Sequence, residues 1–549
     1  MDIQLKKICL PVLFFAVIIF SAFYAIASIK YSENFKEEKD QAPGRKMAIL
    51  STQSKKTWNT TDHSKHKILH QEFKSGKEVT DACILCHNKA AEQFKKTIHW
   101  TWINPDSDKK NQTGKAGSSI NNFCISTNMA KDKSCLDCHP GWSNKRESIN
   151  CLDCHGQKDF NLREAFDDIK GFLNDADPES IEIAKEIQKE VIDAICSISR
   201  PTRKNCGSCH FYGGGGEGVK HGDLDSSMEN PDKELDVHMG SDGQNFQCTR
   251  CHTTVLHNIA GRVYTTPAAI HRKSLVEDDT ISKIMCESCH SHKPHKSVNK
   301  ANEHTDKVAC QTCHIPEFAR VNPTKIWWDW SKAGKKRDGK KYTEYGQWHK
   351  PVYKSIKGEF RWEKNVVPEY FWFNGSINTL SFKDIIDPSK TVKVSWPTGN
   401  IENKNSRIFP FKVHRGKTPY DKINKTMLAP LLSEPEGFWK TLDWDNALEK
   451  GMSSINQPFS GEFGFVDTTY VMPTTHMVAP IANTLKCRDC HAKDGRLAKL
   501  EGFYMPGRDK FRILTIAGWG VIVASLIGVF LHALGRFFVN GREKEISKK

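Results

Sequence analysis

Long apolar runs occur only near the two ends of the chain, at residues 8–29 and 513–539; between them apolar positions recur in short, interrupted patterns. The first run follows Lys6 and Lys7 and closes near Ala25-Ile26-Ala27, a small-residue pattern that fits a cleaved export signal, although its length also suits an anchor. Residues 1–29 are therefore read as a signal peptide or N-terminal anchor. The second run is long enough to span a bilayer and is followed by Arg536, Arg542, Lys544, Lys548 and Lys549, which the positive-inside rule places in the cytoplasm. Arg508, Lys510 and Arg512 on its near side weaken that contrast. Residues 508–549 are thus expected to form a C-terminal transmembrane anchor with a cytoplasmic tail. Residues 30–75 are polar and Lys-rich and read as a linker. Over residues 160–198 apolar positions follow the helical period and break at Asp177-Pro178, which predicts two helices with Cys196 on the buried face of the second. Between residues 315 and 486, Trp327, Trp328, Trp330, Trp348, Trp362, Trp372, Trp396, Trp439 and Trp444 lie among many Gly, Pro and Asn breaks. That density predicts a loop-rich aromatic shell in preference to a separate β domain.

Composition changes this picture. Only 38% of the 549 residues are hydrophobic, yet 19 are cysteines. Sixteen of these fall in eight copies of Cys-x-x-Cys-His: Cys83, Cys86 and His87; Cys135, Cys138 and His139; Cys151, Cys154 and His155; Cys206, Cys209 and His210; Cys248, Cys251 and His252; Cys286, Cys289 and His290; Cys310, Cys313 and His314; and Cys487, Cys490 and His491. Each copy offers two thioether anchors for a haem c and an imidazole for its iron. Zinc sites do not require a His after every second Cys, and a disulfide framework does not either. Eight covalent haems would bring large apolar faces and supply much of the core, so few apolar side chains are needed. The expected fold is mainly α with extensive irregular structure and little β-sheet, packed around those haems. Residues 76–314 hold seven motifs in one haem-packed domain; residues 315–507 hold the Trp-rich shell and the eighth. The formal charge of +15 does not imply nucleic-acid binding, since about two propionates per haem largely offset it.

Outside the motifs there are fifteen of the 23 histidines, enough to give every iron a second axial ligand. His63, His99, His221, His238, His257, His295, His304 and His476 lie in short polar segments near motifs and are the candidates; His66, His70, His271, His292, His349 and His414 are left unassigned. Chemistry on substrate needs in addition an iron with an exchangeable or weak ligand. Asn121-Asn122-Phe123-Cys124 lies eleven residues ahead of the second motif, so the spare thiol can reach that haem. Gly213 to Gly216 precede Lys220-His221-Gly222-Asp223, and such a glycine run lets backbone approach a haem edge or substrate. A lysine amine can also bind iron when iron displaces its proton. Cys124, Lys220, Asn121 and Asp223 are therefore the candidate catalytic residues. Of the other two spare cysteines, Cys9 lies in the N-terminal run and Cys196 reads as core. His532, in the C-terminal run, could serve a partner's haem or quinol, or be an interfacial residue.

The eight motifs, Thr97-Ile98-His99-Trp100-Thr101-Trp102, Asn121-Asn122-Phe123-Cys124, the stretch from Cys206 to Asp225, Asp236-Val237-His238-Met239, Cys310 to Phe318, Trp327-Trp328-Asp329-Trp330 and Asn365-Val366-Val367-Pro368-Glu369-Tyr370 resemble the octahaem tetrathionate reductase family of c-type cytochromes. The resemblance spans roughly residues 60–505. It implies one catalytic haem with a lysine ligand, carried onto Lys220, with Cys124 as an active-site thiol and Asn121 beside it. It also implies reduction of tetrathionate, nitrite or hydroxylamine. The expectation is a cytoplasmic-membrane protein with its haem domain in the periplasm. Its electrons would come from a membrane quinol-oxidising cytochrome or a small cytochrome, and its substrate would be a small anion. Two other readings use the same residues: hydroxylamine oxidation, and a pure electron conduit with every iron bis-His.

Overall fold

The computed structural model describes residues 61–546 except 109, 111, 121–122, 128–137, 143–147, 176, 264–283, 291–292 and 297–298. The N-terminal run, most of the linker, Asn121 and Cys135 lie outside the described residues. By backbone contacts the chain divides into two compact units between Thr484 and Leu485.

The motif-rich part of the first unit is built from short helices and turns. The longest pair is α1 (Leu162–Asp175) and α2 (Pro178–Cys196), the two helices predicted. Asp177 explains the break. Its carboxylate accepts from the backbone N–H groups of Glu179 and Ser180 as an N-cap, and Pro178 occupies the first helical turn, where its missing N–H costs nothing. The pair buries Leu162, Ala165, Ile169, Val191 and Ile195 against Leu69, Phe73 and Val79, with Cys196 packed partly buried against them. Leu69 and Phe73 belong to the segment read as linker, and its described residues 61–75 include these core positions.

Residues 324–473 depart from expectation. They form an eight-stranded sheet, and this overturns the mainly α fold with little β-sheet. The strands are β1 (Thr324–Asp329), β2 (Thr343–Tyr345), β3 (Pro351–Lys354), β4 (Gly358–Glu363), β5 (Glu369–Phe373), β6 (Val392–Lys393), β7 (Arg407–Asp421) and β8 (Phe463–Pro473). Their order is β2-β3-β4-β1-β7-β8-β6, with β5 also on β7. The centre is β7, which pairs antiparallel with β8 from Phe411↔Pro473 to Asp421↔Phe463. Its first residues pair with β5 and its later ones run parallel to β1, Arg415 opposite Trp327. The physical reason is composition. Aromatic and β-branched residues fit a pleated surface, and the tryptophans read as shell form a core of their own. Trp328 stacks on Trp330 at 4.7 Å and Phe438 on Trp444 at 4.1 Å, and Trp328, Trp330 and Phe438 are almost wholly buried. Each such side chain contributes roughly 1.5–3 kcal/mol or more of burial.

The sheet grips the segments around it. Thr312, inside the seventh motif, donates to the carbonyl of Ile408 at the start of β7 (2.7 Å). The segment before Cys124 is tied by Ile120 N–H to Leu380 O, and the one after it by Thr127 N–H to Pro430 O. The second unit carries the eighth motif and α3 (Arg512–Ile546), whose residues 512–537 are long and apolar enough to cross a membrane, with mean hydropathy 2.3.

Candidate haem ligands and active site

A Cys-x-x-Cys-His run on one helical turn sets both thiols on one face and the imidazole beside them. Among the described residues six motifs lie wholly or partly on α-helices, among them Leu152–His155, Arg203–His210, Glu287–His290 and Cys310–His314, and Cys248–Arg250 of another forms a 3-10 turn. Cys86 is exposed at the last position of the helix Gly76–Cys86. Cys289 and Cys313 are half-buried within the single turns Glu287–His290 and Cys310–His314.

An iron held by two imidazoles needs a metal–nitrogen distance of roughly 2 Å on each side, which sets ring centres roughly 6 Å apart. Five pairs have that separation: His63 with His87 (6.2 Å), His99 with His210 (6.1 Å), His238 with His290 (5.9 Å), His252 with His476 (6.2 Å) and His295 with His314 (6.2 Å). In each, one ring belongs to a motif and the other is a candidate read from the sequence. The residues present therefore fit haem.

Hydrogen bonding at the far ring nitrogen supports the fit, because a bond at Nδ1 leaves Nε2 for iron. His155 Nδ1 lies 3.0 Å from Ser199 O, His252 Nδ1 2.9 Å from Ala260 O and His491 Nδ1 2.9 Å from Pro506 O. His257 holds Gln93 Oε1 through Nδ1 (3.2 Å) and lies within electrostatic reach of His155, whose charge lowers its pKa after burial has done so. His304 is exposed and bonded to Lys300 O; His221 is partly buried, and burial lowers its pKa first, with Lys220 and the motif imidazole of His210 adding to the effect.

His139 of the second motif is turned the other way. Its Nε2 lies 2.9 Å from the carbonyl of Trp100, and its ring packs on Trp100 at 4.7 Å. Near the same motif sits Lys220, partly buried, its amine pushed down to about 7 by burial and by Lys115, with Cys138 opposing. The glycine run makes that placement possible. Gly214 and Gly215 take φ of +85° and +93°, where side chains are strained, and a Cβ on Gly214 would sit 3.1 Å from Phe123 Cβ and 3.2 Å from Lys220 Cβ. The backbone around Lys220 is then clamped: Thr324 Oγ1 donates to Gly218 O (2.7 Å), and Lys412 Nζ donates to Val219 O (2.7 Å) and Thr324 Oγ1 (2.6 Å).

Asp223 lies three residues on, 2% exposed. It accepts from the backbone N–H of Thr475 (2.7 Å) and His476 (3.0 Å) and faces His476 Nδ1 at 3.2 Å. Burial pushes its carboxyl up, but the bond and charge of His476 more than offset this and hold it well below the usual carboxylate range. Asp223 thus sits behind a ligand ring.

Four groups of the site were not singled out from the sequence: Lys325, Lys357, Lys412 and His414. Lys325 is 4% exposed, with Nζ 3.7 Å and 3.6 Å from the ring centres of Trp328 and Phe360. Lys357 Nζ stands 4.8 Å from Trp439. Burial pulls the pKa of both lysines down, while Cys124 acts on both in the opposite sense. His414 packs edge-on to Phe123 at 4.8 Å, and its buried Nε2 has no hydrogen-bond partner among the described residues. Lys412 and His414, two apart on β7, share a face; that alternation is a signal, but only once the strand is known.

Comparison with known proteins agrees with this geometry. The bacterial cytochrome c family matches residues 325–494. A solved octaheme cytochrome c from Shewanella oneidensis is 37% identical, with a TM-score of 0.66 over 80% of this chain and 95% of that one. A search of curated proteins finds no match.

Proposed function

Because the chain belongs to the multihaem c-type cytochromes, as a relative of that octaheme cytochrome c, we propose that it is a membrane-anchored reductase with eight covalent haems, one of them ligated by Lys220 and served by Cys124. The observation that carries this is the contrast at the second motif. His155, His252 and His491 turn Nδ1 to a carbonyl, whereas His139 commits Nε2 to Trp100, and a partly buried amine lies within electrostatic reach of Cys138. Bound haem would supply the electrons and an iron on which substrate can sit. Lys220 holds its amine toward that iron, and the Gly213–Gly216 run and the Lys412 clamp keep it there.

Tetrathionate fits the thiol. Cys124 attacks a sulfane sulfur; that S–S bond breaks, one thiosulfate leaves, and the cysteine carries –S–SO3−. Two electrons then cleave the new S–S bond, release a second thiosulfate and restore the thiolate. Nitrite or hydroxylamine reduction would use the Lys220 side and not the thiol. The test is a substrate split in the holoprotein. Lys220→Ala is expected to lose most activity on all three substrates, and Cys124→Ala to lose tetrathionate reduction far more than the other two. Equal losses for Cys124→Ala would make it a positioning residue; full activity in both variants would favour a conduit.

The apolar segment 512–537 supports an anchor in the cytoplasmic membrane, with the haem-bearing body in the periplasm and electrons from a membrane quinol-oxidising or small cytochrome. Truncation after Gly507 should release a soluble protein that keeps activity with an artificial donor and loses quinol-linked activity. Unchanged quinol-linked turnover would remove this part of the reading.

A further inference from the structure

Among the described residues, lysines drawn wholly or partly into the fold include some with an evident partner. Lys412 donates to a carbonyl and a hydroxyl, and Lys350 pairs with Glu217 at 3.0 Å. Lys325 and Lys357 differ. Among the described residues neither ammonium has a carboxylate or a hydrogen-bond acceptor; Lys325 is held between the faces of Trp328 and Phe360. An unpaired buried charge is costly, and ring faces compensate only part of that cost.

The two amines belong to one place. Trp328, under Lys325, donates Nε1 to the carbonyl of Lys357 (2.6 Å). Lys357 Nζ reaches over Gly215, 3.5 Å from where a Cβ would stand, and Gly214 next to it packs on Phe123. Cys124 follows Phe123 and packs against the cluster that contains Trp328 and Phe360. A buried amine between aromatic rings, a partly buried second amine and a thiol thus converge with no counter-anion among the described residues.

We propose that Lys325 and Lys357 form an oxyanion subsite that holds the sulfonate end of a sulfur oxyanion, so that its sulfane sulfur meets Cys124. Amines act here as point charges with rotatable donors, which suits a tetrahedral –SO3− better than a planar group needing a fork. Trp328 and Phe360 keep Lys325 dry, where its charge counts for more. The subsite selects substrates by their terminal charge. It rests on the reading of Cys124 as the reacting thiol, but not on Lys220 as an iron ligand.

The test uses the holoprotein and two alkylating reagents, anionic iodoacetate and neutral iodoacetamide, with modification of Cys124 followed by peptide mass. Lys325→Met and Lys357→Met keep the stem length, and intact haem content and spectrum show that each has folded. In either variant the iodoacetate-to-iodoacetamide rate ratio should fall about tenfold or more, the size expected for losing one close charge. Thiosulfate should protect Cys124 in the wild type and not in the variants. Unchanged ratios and equal protection overturn the proposal. If neither reagent modifies wild-type Cys124, calorimetric titration with thiosulfate decides: affinity at least tenfold weaker in both variants upholds it, and equal affinity overturns it. Lys220→Ala separates the two readings. It should leave the ratio unchanged even where reduction is lost, so failure of the subsite and failure of the lysine-ligated iron give different results.

Discussion

The motif-rich region, residues 61–314, and the sheet region, residues 324–473, are built on opposite principles within one chain. The first has short helices, many turns and ligand pairs whose ring centres stand about 6 Å apart, a spacing that leaves room for an iron. The second has no Cys-x-x-Cys-His and instead buries Trp328, Trp330, Phe360, Phe411 and Phe438 in its own interior. Where a cofactor supplies the apolar surface, the polypeptide can be polar and irregular; where it does not, the chain must bring its own aromatic core and a sheet to order it. The candidate site lies where the two kinds of structure meet. Lys220 and Cys124 come from the first region, and Lys325, Lys357 and Lys412 from the second.

The largest test of this contrast is to make the protein without covalent haem. Hydrogen exchange should then show residues 61–314 losing most protection while β7 and β8 keep theirs; uniform loss would mean that the sheet too depends on haem. Next is Trp330→Ala, which removes a wholly buried ring from the sheet side. It should cost about 3–5 kcal/mol in denaturant unfolding and leave the haem spectra unchanged. Altered haem spectra at full stability would reverse the assignment. A smaller effect is expected at Asp223→Asn. The carboxylate now faces His476 Nδ1, and replacing a charged acceptor by a neutral one weakens that bond by about 1 kcal/mol. The potential of the haem that His252 and His476 would hold should therefore rise by tens of millivolts in spectroelectrochemistry, with the other potentials unmoved. No change would leave Asp223 a purely structural acceptor.

What the sequence disclosed divides along the same line. The motifs, the α1–α2 pair with its break at Asp177-Pro178, and the candidate histidines His63, His99, His238, His295 and His476, each with its ring about 6 Å from a motif imidazole, were legible because they lie in local patterns. The sheet was not. β7 is buried on both faces over most of its length, so the alternation that marks a half-exposed strand is replaced by the run from Ile408 to His414. Its aromatic neighbours then read as shell. Lys325 and Lys412 were missed for a related reason: a lysine in sequence reads as a solvated charge, and only pairings such as Arg415 with Trp327, far apart in the chain, bring these two inside.

The central claim is that one iron differs from the rest because Lys220 is its ligand. Electron paramagnetic resonance of the oxidised holoprotein, with Lys220→Ala beside the wild type, tests it most directly. The account predicts one ferric signal outside the bis-His set in the wild type, which alone is altered in the variant while the bis-His signals persist. A wild-type spectrum made up only of bis-His signals and identical to that of the variant would contradict it.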